Sequence, residues 1–132
     1  MTVVLDVSAA LQIALRKAKR ARFEEPYEQA AWVIAPELYK AEITNALLKY
    51  RLAGILEPEQ CLAYVQDGLE LVDDFFPETD SWKEVLAEAM KRRHPAYDLF
   101  YAVLARRNDA VLLSDDARLR AVAAEMGVQV AG

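Results

Sequence analysis

The chain predicts a three-layer α/β/α sandwich with a central, mostly parallel sheet. Short apolar runs rich in Val, Ile and Leu alternate with helix-length segments. These runs carry little polar alternation, as expected of strands covered on both faces. Acids also follow directly on two of them, at Asp6 and at Ser114-Asp115-Asp116, and open α/β sheets bind their ligands outside the carboxyl ends of their strands.

Val3 to Leu5 is a β-branched run ending at Asp6, and Ser8 is placed to cap a helix through Leu11, Ala14 and Leu15. Residues 24–31 read as helix and 32–35 as a second strand. Pro36 is expected at the start of a long helix that reaches Ala53 and stops at Gly54. Pro58 opens the next helix, to about Val72, and the segment DDFFPETD reads as a break. Helices are then expected from Ser81 to Arg93 and from Pro95 to about Arg107. A buried strand follows at 110–113, then a helix over 115–126 stopped by Gly127, and a last strand at 128–130.

At 132 residues the chain is expected to be a single domain, 1–132, able to bury roughly two-thirds of its unfolded surface. Its 55% hydrophobic and 28% charged composition is that of a globular protein, with no apolar run near the ~20 residues of a membrane span. The start MTVVLDVS has neither a basic segment nor a small-residue cleavage site, so the cytoplasm is the expected compartment. Cys61 and His94 are the only residues of their kinds, which excludes an internal disulfide and disfavours a His/Cys zinc site. Any metal is expected to be held by oxygen.

The net charge of −5 argues weakly against nucleic acid, yet cations cluster at Arg16, Lys17, Lys19, Arg20 and Arg22 and again at Lys91 to Arg93. Solvated helix faces are the commoner explanation of either cluster taken alone.

Four acids stand among apolar neighbours: Asp6, Glu42, Asp98 and Asp116. Carboxylates from four distant parts of a chain repel one another and lose hydration when gathered, and a shared cation such as Mg²⁺ or Mn²⁺ relieves both costs. Each also has a plainer reading. Asp6 fits a helix cap, Asp98 sits in the opening turn of a helix where the dipole favours an acid, and Ser114, Asp115 and Asp116 all fit the start of the last helix. Glu42 is more telling. At 100° per residue Glu37, Lys40, Thr44 and Arg51 form one polar face, whereas Glu42, Asn45 and Lys49 form a second, narrow stripe that one solvent face does not explain; the plainer reading is that it meets solvent at a second edge or binds a neighbouring helix.

Other chemistries have little to work with. The chain has no glycine-rich phosphate loop, and its single histidine gives Ser8 and Ser114 no convincing triad. Tyr97, Phe100 and Tyr101 read either as a stacking platform for nucleic acid or, more commonly for helical aromatics, as core.

In the motifs VVLDVSAAL, PELYKAEITNALLKY, HPAYDLFYAVLARR and AVLLSDDARL, taken in this order over essentially the whole chain, the sequence resembles PIN-domain ribonucleases of the VapC type, the toxin half of toxin–antitoxin pairs. The resemblance implies that Asp6, Glu42, Asp98 and Asp116 bind Mg²⁺ or Mn²⁺ and are catalytic, with Asn45 and Ser114 in support. Asp115 falls on the variable position of the last motif and is a possible substitute for Asp116. The resemblance further implies hydrolysis of an RNA phosphodiester to a 5′-phosphate and a 3′-hydroxyl, without a covalent intermediate. It also implies a homodimer and a cognate VapB-like antitoxin whose C-terminal segment covers the site. Such a protein, although acidic, can bind RNA if cations such as Arg16, Lys17, Arg92 and Arg93 rim the groove.

Two other readings compete. Haloacid-dehalogenase-like phosphatases also place an Asp after the first strand, but they need a second Asp two residues on, where this chain has Ser8. A non-catalytic PIN-like binding module would keep the acids as structural or partner-binding groups.

Overall fold

The computed structural model describes residues 1–132. Its strands are β1 (Thr2–Leu5), β2 (Trp32–Pro36), β3 (Asp74–Phe76), β4 (Val111–Leu113) and β5 (Val130–Ala131). The helices are α1 (Val7–Ala14), α2 (Arg20–Gln29), α3 (Leu38–Leu52), α4 (Pro58–Glu70), α5 (Trp82–Arg92), α6 (Ala96–Arg107) and α7 (Ala117–Glu125), with a short 3₁₀ turn at Glu78–Asp80. All five strands join one sheet in the order β3-β2-β1-β4-β5, and every pairing is parallel. The expected sandwich is therefore present, with a fully parallel sheet.

Right-handed crossovers place α1 to α4, which carry the chain from β1 out to β3, on one face of the sheet. The return from β3 to β4 reverses direction and places α5 to α7 on the other face. The packing agrees: α6 lies across β1, β2 and β4 with α5 and α7 beside it, while α1, α3 and α4 pack on one another. Val3, Val4, Leu5, Leu112 and Leu113 are fully or almost fully buried between these layers, which explains the apolar, non-alternating strands.

Four local expectations are corrected. Pro36 does not open the long helix; it ends β2, opposite Phe76. Its missing N–H leaves the ladder to β3 intact, because the bond on that side comes from the next residue, the amide of Glu37 donating to the Phe76 carbonyl (2.9 Å). The DDFFPETD segment is not merely a break, since Asp74–Phe76 forms the edge strand β3. The first helix is capped by Asp6 and not by Ser8. The last strand is Val130–Ala131, so Val128 precedes it and is buried in the connection.

Candidate active site

Because the sheet runs outward from β1 to β3 and then returns to β4, its topological switch point lies between β1 and β4, and a crevice forms where neighbouring connections leave in opposite directions. Asp6 follows β1 and Ser114 follows β4 at this point. The Ser114 hydroxyl, fully buried, donates to Asp6 Oδ2 at 2.6 Å. Asp6 Oδ1 accepts from the Ser8 hydroxyl (2.7 Å) and from the Ala9 amide (2.9 Å), which makes Asp6 the N-cap of α1. Three of roughly four acceptor positions on this carboxylate are thus filled by the protein, and the remaining capacity is on Oδ2. Burial pushes the Asp6 carboxyl from its ordinary 3.8 up to about 6, against the hydrogen bonds from Ser114, Ala9 and Ser8 and with help from the charge of Asp116.

Ser114 also accepts from the Asp116 amide (3.0 Å), and Asp116 caps α7 by accepting from the amides of Arg118 (2.9 Å) and Leu119 (3.2 Å) through Oδ1 alone. Its Oδ2 has no protein donor. Asp98 stands in the first turn of α6, half-buried, and its carboxyl is raised by burial and then by the charge of Asp116, against His94 and Arg118. Glu42, in the middle of α3, accepts the buried Tyr101 hydroxyl at 2.6 Å. Its carboxyl is raised by burial, lowered by that bond, and raised by Asp98. The charges are felt in a chain, that of Asp116 by both Asp6 and Asp98 and that of Asp98 by Glu42, and the fold brings all four sequence-predicted acids to one end of the sheet. The capping read as the plain alternative for Asp6 and Asp116 is also present, so each of these two acids both caps a helix and faces the centre.

Asp115 is turned away from this group. Its Oδ1 meets Lys19 Nζ at 3.3 Å and its Oδ2 accepts from Gln12 Nε2 at 3.2 Å, while its amide donates to the Ser8 hydroxyl (2.8 Å). Asn45 is exposed on α3 beside Glu42. With Lys49 these residues line a cavity of about 500 Å³, which accounts for the second polar stripe of that helix.

Sequence reasoning missed the roles of Ser8, Tyr101 and Lys19. Ser8 stands where a phosphatase of the haloacid-dehalogenase kind needs its second Asp, and here it links Asp6 to the Asp115 amide. Of the three aromatics on α6, Tyr101 is core and Tyr97 is 68% exposed. Arg92 is not a rim cation, being paired with Glu88 at 2.7 Å. His94 Nε2 is buried without a hydrogen-bond partner, 3.7 Å from Asp98 Oδ2.

No three His, Cys, Asp or Glu side chains converge closely enough to enclose an ion by themselves. The donor set still fits Mg²⁺ or Mn²⁺, because Mg²⁺ is usually held by one or two carboxylates with water completing its octahedron. Asp6 Oδ2, Asp116 Oδ2, the second oxygen of Glu42 and the Asp98 carboxylate are the oxygens available to it. Desolvated, mutually repelling carboxylates gain most from such a cation.

A parallel α/β sandwich with acids gathered at its switch point defines a class of acidic-centre domains whose ligand sits at the carboxyl edge of the sheet. Within that class the PIN domain model matches residues 3–125, and the chain belongs to the PIN-domain family. Members of this family are in general nucleases that use divalent metals. No curated protein matches the chain in sequence. Among solved structures it is similar to PAE2754 from Pyrobaculum aerophilum, with 24% identity, a TM-score of 0.74, and coverage of 98% of this chain and 92% of that one. It is also similar to VapBC2 from Rickettsia felis bound to a DNA fragment from their promoter, with 13% identity, a TM-score of 0.68, and coverage of 98% and 97%. No helix is long and apolar enough to cross a membrane.

Proposed function

We propose that this chain is a Mg²⁺- or Mn²⁺-dependent endoribonuclease of the VapC toxin type, acting in the cytoplasm. The observation that carries the reading is the Asp6–Ser114 bond at the switch point, with Glu42, Asp98 and Asp116 electrostatically coupled around it. Asp6, Glu42, Asp98 and Asp116 serve as metal ligands and catalytic acids. Ser114 orients Asp6, Asn45 supports the Glu42 side, and Asp115 holds the neighbouring loop through Lys19 and Gln12. A bound cation supplies a lowered water pKa and stabilises charge on the phosphate and the departing oxygen. The chain's own part is to hold the carboxylates, through Ser114, Tyr101 and the two helix caps, so that little reorganisation is needed at the moment of reaction.

The likeness to a VapBC complex supports a VapB-like antitoxin as partner. Two apolar stripes are available for an antitoxin and for a second copy in a homodimer: Leu48, Leu52 and Leu62 on α3 and α4, and Trp82, Leu86 and Met90 along α5, each about half exposed or more.

Incubation of structured and total RNA with the purified chain tests the reading. Discrete fragments with 5′-phosphates are expected in Mn²⁺, none in EDTA, and a loss on the order of a hundredfold or more for Asp98→Asn. Full activity in EDTA or in Asp98→Asn would sink it.

A further inference from the structure

The cavity beside Glu42 is lined by Val7, Asn45, Ala46, Lys49, Tyr50 and Ile55 in addition to that acid. We infer that it is a subsite for an unpaired nucleobase of the RNA next to the scissile phosphate, with Tyr50 as its stacking wall. The inference rests on the endoribonuclease reading and adds the form of the substrate and the residue that selects it.

Four observations support a base as the occupant. Glu42 belongs both to the cavity and to the coupled acids, so a group seated there is a near neighbour of the reacting phosphate. The volume of about 500 Å³ lies within the roughly 300–1,000 Å³ common for small-ligand pockets. The lining divides as a base and its backbone require. Val7, Ala46, Ile55 and the Tyr50 ring are apolar walls, Asn45 offers an amide to a base edge, and Lys49 supplies a cation for a phosphate.

Lys17 is the fourth observation. Its ammonium donates to the Tyr50 hydroxyl at 2.8 Å while standing 5.5 Å from the ring centre, so it lies off the hydroxyl end of the ring and not over its face. The lysine thus leaves the ring face uncovered and puts a second cation at the rim. Farther along the same turn, Lys19 bonds to Asp115, so a row of exposed cations flanks the acidic centre on this side.

An apolar protein helix is the poorer occupant, because laid here it would strip water from Glu42, Asn45 and Lys49 without offering them partners. A paired base is excluded by its own stacking, so the substrate is a single strand or a loop.

The test uses the 132-residue chain in three forms, wild type, Tyr50→Phe and Tyr50→Leu, with Ile55→Asp at the exposed mouth as a variant that spares the core. Cleavage of an unstructured random-sequence RNA pool in Mn²⁺ is read by sequencing the ends. Hydrolysis of bis(p-nitrophenyl) phosphate, which has no base, is run beside it. Binding of a decamer containing 2-aminopurine is followed in Ca²⁺ by fluorescence quenching.

Wild type and Tyr50→Phe should show a base preference at one position beside the cut and quench the probe. Tyr50→Leu and Ile55→Asp should lose both, with kcat/KM on RNA falling about tenfold and hydrolysis of the base-free diester unchanged. Tyr50→Leu and Ile55→Asp behaving as wild type would overturn the subsite, as would an equal loss on the base-free diester or a loss in Tyr50→Phe matching that in Tyr50→Leu. RNA cleavage without quenching or preference would remove the subsite and leave the nuclease. Tyr50-dependent quenching without cleavage would do the reverse, and the absence of both would remove both.

Discussion

The Tyr101 hydroxyl donates to Glu42 Oε1 at 2.6 Å, a bond that passes over the carboxyl end of the sheet from α6 on one face to α3 on the other. It is one of the few polar links between the two helical layers at the site, and it fixes where the Glu42 carboxylate sits. Tyr101→Phe keeps the ring in its buried place and removes only the donor. A charge-assisted bond of this kind contributes about 1.5–3 kcal/mol at most, so the variant should fold with a small loss of stability. The Glu42 carboxyl, already raised by burial, should rise further. The expected result is weaker Mn²⁺ binding by calorimetry and an acid limb of the pH–activity profile displaced to higher pH. An unshifted limb with unchanged Mn²⁺ affinity would separate Glu42 from the metal.

Asp6 makes the metal-free protein sensitive to pH in a direction opposite to that of an ordinary salt-bridged acid. Its carboxyl is raised in the folded state, from 3.8 to about 6, so the unfolded chain releases this proton first. Stability from this group is complete below about pH 4 and is lost as pH rises towards 6, to a total of roughly 3 kcal/mol. Glu42 and Asp98, also raised, act in the same direction. Glu84 and Glu88 are lowered by Arg106, Arg107 and Arg92 and oppose it only at more acid pH. Melting in EDTA should therefore show a higher Tm at pH 5 than at pH 7.5. Asp6→Asn should flatten that slope, and Mn²⁺ should restore the wild-type Tm at pH 7.5. A wild-type Tm that rises from pH 5 to 7.5 in EDTA would contradict the assigned burial cost.

The gathering of these acids was legible in the sequence through their combination, because Asp6, Asp98 and Asp116 each had a plain capping or dipole reading when taken singly. Glu42 stood out through a second polar stripe on α3, and that stripe lines the cavity. The bonds themselves were not legible: Tyr101 and Ser114 become donors to Glu42 and Asp6 only once residues 59 and 108 positions apart are folded together, and Ser8, two residues from Asp6, reads as a helix cap until its hydroxyl is seen on that carboxylate. β3 was missed because three residues beginning with an exposed Asp give too short an apolar run to register as a strand. Pro36 was misplaced because proline suits both a helix start and a strand end, and only the register with Phe76 decides between them.

Gly68 marks how closely α4 approaches α3, the helix that carries Glu42. A Cβ there would overlap Ile43 Cδ1, and Ile43 is fully buried, while the Gly68 carbonyl accepts the Tyr39 hydroxyl at 2.6 Å. Gly68→Ala gains about 1 kcal/mol of helix propensity but should lose about 1–3 kcal/mol to overpacking. A net destabilisation is expected in urea melts, together with reduced activity as α3 is displaced. Ile43→Val in the same chain should recover part of the loss, since it withdraws the methyl that collides. Additive effects of the two substitutions would show that the contact is not the cause.

Asp115 and Asp116 are adjacent acids with different surroundings, and a matched pair of substitutions separates their roles. Asp116 caps α7 through Oδ1 and is the neighbour whose charge raises both Asp6 and Asp98. Asp115 is held by Lys19 and Gln12 on the opposite side of the turn. Asparagine is as good an N-cap as aspartate, so Asp116→Asn should keep α7 and the melting temperature while losing charge at the centre. Cleavage should fall on the order of a hundredfold, with weaker Mn²⁺ binding. Asp115→Asn removes an exposed ion pair worth less than about 1 kcal/mol and leaves Lys19 free beside the site. Its activity should stay near wild type, with RNA affinity unchanged or slightly improved at low salt. Measuring kcat/KM and Mn²⁺ affinity for both variants decides the matter, and a larger loss in Asp115→Asn than in Asp116→Asn would reverse the assignment.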